Sequence, residues 1–380
     1  MTQLRIPAVY MRGGTSKGVF FLANDLPIDP QQRDRVLLRV IGSPDPYGKH
    51  IDGMGGATSS TSKVVLISKS MRPDCDVDYL FGALAVANPT IDWSGNCGNL
   101  SAAVGPFAIR SGLLKAPTQG WATVRIWQAN IGKMIISHVP MCDGAVQEEG
   151  DFELDGVTFP AAEIKLEFLN PGADDGGGEG GLMFPTGKTI DWLDVPGVGR
   201  VEATLINAGL PTIFVEAVSL GFKGSELQSD VNPFPDLLER AEKVRVAGAT
   251  AMGLVAMPGS HTPKISFVAR SQDYTASDGR PIKAEGIGLL ARIFSMGALH
   301  HAMTGTGAVA IAAATAIPGT IPHRVARKSD DDRVRFGHPS GALSVGAEAT
   351  EINGEWVVSK VLMSRSARRL MEGWVLVPQT

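Results

Sequence analysis

The chain has 380 residues, 44% of them hydrophobic and 19% charged, with a formal net charge of -4. This is enough apolar material for large cores, and the length exceeds what one core usually organises, so two domains of roughly 150 to 200 residues are expected. The balance excludes extensive disorder. With no basic run longer than Arg368-Arg369, it offers no electrostatic footprint for nucleic acid or an anionic membrane surface.

In chain order, Met1-Thr2-Gln3-Leu4-Arg5-Ile6-Pro7 leads straight into strand-like sequence, without the charged, apolar and cleavage-site succession of a secretory leader. A cytoplasmic protein is expected. The loop Arg12-Gly13-Gly14-Thr15-Ser16-Lys17-Gly18 lacks the spacing and the following helix of a phosphate-binding P-loop. Its glycines permit close backbone approach and Thr15, Ser16 and Lys17 are donors, which suits either an anionic ligand or a tight turn between strands. Gly53-Met54-Gly55-Gly56 and Gly337-His338-Pro339-Ser340-Gly341 read as turns.

Val64 to Ile67, Thr123 to Trp127 and Ile265 to Val268 are rich in β-branched and aromatic residues and are expected as strands. Leu100 to Ile109 is almost uncharged and rich in Ala, and Ala308 to Ile317 more so, as suits helices buried on all sides. Asp174-Asp175-Gly176-Gly177-Gly178-Glu179-Gly180-Gly181 reads as a flexible loop or linker, followed by Pro196-Gly197-Val198-Gly199. The boundary is placed near residue 190, giving domains 1–190 and 191–380. Met363 to Arg369 and Trp374 to Val377 are candidates for a return to the first domain.

Apolar runs break well before about 18 residues, so no membrane-spanning helix is expected. Cys75, Cys97 and Cys142 lie far apart with no CxxC pair, which argues against a disulfide framework or a thiolate metal site. His300 and His301 are adjacent and no HExxH pattern exists, so no metal is expected.

The chain also repeats itself. Thr61-Ser62-Lys63-Val64-Val65-Leu66-Ile67-Ser68-Lys69-Ser70 matches Thr262-Pro263-Lys264-Ile265-Ser266-Phe267-Val268-Ala269-Arg270-Ser271 in its Thr, Lys, apolar, basic and Ser positions. Cys97-Gly98-Asn99 against Thr304-Gly305-Thr306-Gly307, and Gly18 to Phe21 against Thr212 to Val215, keep the same order at a slowly drifting offset. The expected fold is therefore α+β, with two pseudo-symmetric domains that each wrap a sheet around a central helix.

This duplication directs the search for chemistry. A helix starting at Cys97-Gly98-Asn99 points backbone N–H groups and its positive dipole end forward, and Thr304-Gly305-Thr306-Gly307 offers the same, so the pair could hold a small polycarboxylate from two sides. Common glycine-containing helix starts are the plainer reading. At a helix start the Cys97 thiol pKa is expected to fall, favouring proton exchange, against the alternative of a small buried filler. Lys63 follows the hydroxyl-rich run Ser59-Ser60-Thr61-Ser62 and could act as a desolvated base, against a snorkelling surface lysine; Lys264 is its mate.

These residues carry a resemblance to the PrpF family of isomerases, within the diaminopimelate epimerase-like fold. It rests on Arg12 to Gly18, on Ile41-Gly42-Ser43-Pro44-Asp45-Pro46 with Gly56 to Lys63, and on Trp93-Ser94-Gly95-Asn96-Cys97-Gly98-Asn99-Leu100-Ser101. Trp127 to Lys133, His261 to Lys264 and Met363 to Arg368 agree as well.

The resemblance implies rolled, mostly antiparallel sheets around central helices, an active site in the interdomain cleft, and Lys63 and Cys97 as the acid/base residues. It also implies cofactor-free isomerisation of 2-methylaconitate or aconitate, in the 2-methylcitrate route of propionate catabolism. Thr15, Ser16, Lys17, Ser60, Gly98, Asn99, Lys264, Thr304, Gly305, Thr306 and Gly307 are the candidate substrate-binding residues. Racemases and epimerases of this architecture use one cysteine per half, and Thr304 at the second position disfavours that chemistry. The rivals are a 4-oxalomesaconate tautomerase of the same family and a non-catalytic polycarboxylate-binding protein. A homodimer is the default from the frequency of two-fold assemblies.

Overall fold

The computed structural model describes residues 3–172, 182–255, 262–327 and 333–378. The glycine-rich stretch 174–181 expected as a linker, and His261, lie outside the described residues. The chain forms two compact units: one comprises Met1–Glu153, Phe159–Leu166 and Arg365–Thr380, the other Leu154–Thr158 and Glu167–Ser364.

In the first unit, β1 (Gln3–Gly13) and β2 (Ser16–Leu22) form an antiparallel hairpin. After α1 (Pro30–Ile41), β3 (Lys63–Lys69) runs parallel to β2 and β4 (Val77–Leu84) antiparallel to β3. The short β5 (Ile91–Asp92) lies on β4; then come α2 (Ser101–Arg110), β6 (Gly120–Gln128) parallel to β4, and β7 (Lys133–Cys142) antiparallel to β6. β8 (Ala145–Val146) folds back on β7, and β9 (Ile164–Leu169) carries the chain out of the unit.

The second unit adds β10 (Asp191–Val195) and then repeats the scheme. β11 (Gly199–Ala208) and β12 (Leu210–Glu216) are antiparallel, α3 (Gln228–Val231) and α4 (Pro235–Ala251) follow, and β13 (Lys264–Arg270) is parallel to β12. β14 (Tyr274–Thr275) and β15 (Pro281–Ile282) make a small side hairpin. β16 (Leu289–Ser295) is antiparallel to β13 and carries β17 (Ala298–Leu299); α5 (Gly305–Ala316) and α6 (Ile321–Val325) precede β18 (Arg333–His338), which is parallel to β16. β19 (Gly341–Ile352) is antiparallel to both β18 and β20 (Glu355–Arg365). The last strand, β21 (Ala367–Pro378), belongs again to the first unit and pairs antiparallel with its β1. Both units thus share one order of strand directions, and β12 and β13 reproduce the burial patterns of β2 and β3.

Local chemistry explains the elements. Asp29 caps α1 by accepting from the Gln32 N–H, Pro30 occupies the first turn where its missing N–H costs nothing, and Gly42 ends the helix at φ 83. Leu37, Val40 and Ile41 of α1 cluster with Val19, Phe21, Val64 and Leu66 on one face of β2 and β3. Phe20 meets Phe107 of α2 on the other face, with ring centroids 5.6 Å apart. Strands covered by helices on both faces need no polar alternation, which is why Val64 to Ile67 reads as an unbroken apolar run. In the second unit α4 takes the part of α1, placing Ala241 and Val244 with Leu205, Ile213, Ile265 and Phe267.

The central helices are enclosed as their composition implied. Ser101 to Ala108 of α2 and Gly305 to Ala314 of α5 are all buried. α2 packs against β1, β6, β7, β8 and β21, so the sheet rolls around it; α5 packs against β11, β12, β18 and β19. Close approach depends on Gly105, where a Cβ would lie 2.7 Å from Val139 Cγ2 and 3.0 Å from Ser137 Oγ. Gly105→Val is therefore expected to destabilise the protein by about 1–3 kcal/mol through overpacking. An unchanged urea midpoint would show that the helix can shift to accept the side chain.

Candidate active site

The site of the first unit forms where three chain segments meet. Gly13 and Ser16 are paired across the β1–β2 hairpin, leaving Gly14 and Thr15 as its two-residue turn, with Gly14 at φ 51. A Cβ on Gly13 would lie 2.7 Å from Asn99 O and 2.9 Å from Leu100 Cα, so glycine here makes room for the segment leading into α2. The loop of Arg12 to Gly18 is thus a tight turn, and its tightness is what lets residues 97–100 approach.

The regular helix starts at Ser101, slightly later than the expected Cys97-Gly98-Asn99. Residues 97–100 form a tight turn in which Ala102 N–H donates to Asn99 O and Ala103 N–H to Leu100 O, both three residues back. Cys97 nevertheless anchors this turn. Its carbonyl accepts from Ser101 N–H (3.0 Å) and Ser101 Oγ (3.1 Å), and its Sγ accepts from Leu100 N–H (3.5 Å). Thr304 of the second unit repeats this: its Oγ1 accepts from Gly307 N–H (3.0 Å) and its carbonyl from Ala308 N–H (2.9 Å).

Lys63 opens β3 and is only 6% exposed. Its Nζ donates to Cys97 Sγ at 3.2 Å and to Ser16 Oγ at 3.0 Å, with the Phe81 ring beneath it at 5.7 Å. Tyr79 OH donates to Cys97 O at 3.2 Å, and burial, reinforced by Cys97, holds the phenol well above its ordinary pKa, so it stays a neutral donor. A cysteine held through both its carbonyl and its sulfur is more constrained than a filler of apolar space.

Other expected residues take defined places. Asn99 Nδ2 donates to Thr15 Oγ1 at 3.0 Å, Gly98 is buried within the turn, and buried Ser60 accepts Lys17 N–H through its carbonyl. The side chain of Lys17 is not brought to Lys63: its Nζ stands over the Tyr10 ring at 5.4 Å, because neighbouring residues of a strand point to opposite faces. In the second unit Lys264, 2% exposed, donates to Ser295 Oγ at 3.2 Å. Gly305, Thr306 and Gly307 form the buried first turn of α5. A Cβ on Gly307 would meet Ile293 Cδ1 at 2.5 Å and Thr304 Oγ1 at 2.7 Å, so that glycine also serves packing.

Sequence reasoning missed two residues of the first site, Tyr79 and Arg365. Arg365, 2% exposed, donates through Nε to Asn99 Oδ1 at 3.0 Å. An arginine between the hydroxyls of Ser364 and Ser366 at the end of β20 was the available signal.

The buried charge is one-sided. Among the described residues the buried lysines and arginines are Lys63, Lys264, Arg245, Arg292 and Arg365, and no Asp or Glu is buried. Arg245 is paired with half-buried Glu242 at 2.7 Å, and Arg292 donates to the carbonyls of Glu226, Ala291 and Gly337. Lys63 and Arg365 both reach the Cys97 turn, a setting that suits an anionic ligand. Among the described residues no group of three or more His, Cys, Asp or Glu is placed to hold a metal ion. No helix of the described residues is long and apolar enough to cross a membrane.

The chain is 60% identical to the 2-methyl-aconitate isomerase of Shewanella oneidensis, over 99% of this chain and 98% of that protein. Among solved structures, a methylitaconate-delta-isomerase, 36% identical, superposes with a TM-score of 0.78 and covers 99% of this chain and 96% of its own. A hydroxyproline epimerase from Agrobacterium vitis, 14% identical, shares the fold at a TM-score of 0.55, covering 99% and 93% of the two chains. The family model described as PrpF protein matches residues 3–378, and the chain belongs to that family.

Proposed function

We propose that the protein is an isomerase that interconverts the cis and trans forms of 2-methylaconitate by removing and returning a proton. The observation that carries this reading is the 3.2 Å contact of Lys63 Nζ with Cys97 Sγ, which joins two proton-exchanging groups in a buried, cationic setting. The 60% identical Shewanella relative supports the choice of substrate.

Removing a proton from the carbon next to the double bond leaves an anion delocalised into a carboxylate, and the former double bond gains single-bond character. Rotation and return of the proton to the same carbon give the geometric isomer; return to the far carbon gives the allylic product. Lys63 is assigned as the base and Cys97 as its proton-exchange partner. Ser16 steadies the amine. On taking the proton Lys63 becomes a cation and meets the developing carboxylate charge, the kind of contribution that dominates such steps. In the second unit Lys264 and Thr304 hold the positions that correspond to Lys63 and Cys97. The same reading places the enzyme in the cytoplasm, in propionate catabolism, as a homodimer; cell fractionation and light scattering test the first and last of these.

Ultraviolet assays with cis- and trans-2-methylaconitate, aconitate and 4-oxalomesaconate side by side test the function. The 2-methylaconitate isomers are expected to have the highest kcat/KM and to take up deuterium from heavy water during turnover. Faster turnover of 4-oxalomesaconate would replace this reading with a tautomerase, and binding without turnover of any of the four would replace it with a binding protein.

A further inference from the structure

We propose that Arg365 is a positioning residue for the Cys97 thiol: it locks Asn99, two residues along the same turn, and so holds the turn that carries the sulfur. The inference deepens the function proposed above and rests on its assignment of Cys97.

Geometry comes first. Arg365 Nε donates to Asn99 Oδ1 and Asn99 Nδ2 donates to Thr15 Oγ1, both at 3.0 Å. A guanidinium can only donate, so it fixes which end of the amide faces it and leaves the NH₂ for the hydroxyl. The residues around it leave no slack. A Cβ on Gly14 would lie 2.6 Å from Asn99 Oδ1 and 3.1 Å from Arg365 Cδ. Gly14 N–H donates to Ser366 O at 2.9 Å, and Arg12 Nη1 donates to the carbonyls of Gly14 and Ser366 at 3.0 Å each. The hairpin turn, the Cys97 turn and the entry to β21 therefore form one junction with Asn99 at its centre, and a change at Arg365 is transmitted to the residues that hold the sulfur.

Charge points the same way. Burial pushes the Arg365 guanidinium down to about 9, while the charge of Cys97 draws it upward, so it remains a cation at neutral pH. A fully buried guanidinium is costly unless an anion balances it. Cys97 lies near enough to act on that charge, with Lys63 holding the sulfur by a separate contact. The sulfur is thus held by an amine that exchanges protons, in a turn that a guanidinium which does not exchange them locks through Asn99.

The test uses the full-length protein and iodoacetamide, with peptide mass spectrometry to count Cys97 apart from Cys75 and Cys142. Arg365→Met is expected to slow Cys97 alkylation at neutral pH about tenfold or more, and to lower kcat while KM stays within about threefold. Arg365→Lys keeps a charge without the planar fork; it is expected to alkylate within about threefold of wild type yet regain only part of kcat. Should Arg365→Met fail to fold, Asn99→Asp neutralises the guanidinium in place, and the same slowing of alkylation is expected. Wild-type alkylation rates in Arg365→Met or Asn99→Asp would overturn the proposal, as would equal slowing in Arg365→Lys. Slowed alkylation in a protein whose wild type turns over none of the candidate substrates would sustain the positioning role and reject the isomerase reading.

Discussion

Lys63→Ala is expected to lower kcat by about 10²–10⁴-fold, the range general acid/base groups contribute, without loss of the fold. The side chain is 6% exposed, and its Nζ contacts are the Cys97 sulfur, the Ser16 hydroxyl and the Phe81 ring. Truncating the buried amine removes its desolvation cost along with its two hydrogen bonds, so thermal stability should change little. The readout is steady-state kinetics beside a thermal melt, with added ethylamine to test for chemical rescue. A variant that turns over at nearly the wild-type rate would remove Lys63 from the mechanism, whereas a collapsed melt would show that the lysine serves structure.

Cys97→Ser should be nearly as damaging, with kcat down about 10²-fold or more, because a hydroxyl is a far poorer proton-exchange partner than a thiol at neutral pH. The turn itself should survive. Three of the hydrogen bonds around residue 97 go to its carbonyl, from Tyr79 OH, Ser101 Oγ and Ser101 N–H, and these do not depend on the side chain. Serine is a good residue at a helix start and Thr304 holds the corresponding place in the second unit, so the variant is expected to fold and to bind substrate with KM little altered. Cys75→Ser and Cys142→Ser should retain activity, since neither residue contacts the Lys63 site in the structure. Wild-type turnover in Cys97→Ser would leave Lys63 to act without a thiol partner.

The two halves of the site were not equally legible in the amino-acid order. Lys63 and Cys97 could be singled out because each lies at a local signal: a hydroxyl-rich entry to an apolar strand for one, the mouth of an uncharged helix for the other, both echoed in the second half. Lys17 shows how adjacency misleads. It sits beside Ser16, yet strand alternation sends Ser16 to the Lys63 amine and Lys17 over Tyr10. Tyr79 lies within β4 and looks from its neighbours like any core aromatic. Only the packing of β4 against the Cys97 turn makes its hydroxyl a ligand of that carbonyl.

By themselves, the residues in order determined the repeated α+β plan, because burial on one or both faces of a strand or helix leaves a periodicity in the chain. They also determined the wholly buried central helices. Tertiary structure alone decided which side chains meet. Arg365 and Asn99 are 266 positions apart, and no local pattern carries a contact that exists only once the last strand returns to β1. Composition could show a modest net negative charge, but only folding could show that, among the described residues, Lys and Arg are buried and no Asp or Glu is, because acids and bases are sorted between surface and interior by the cost of removing each from water.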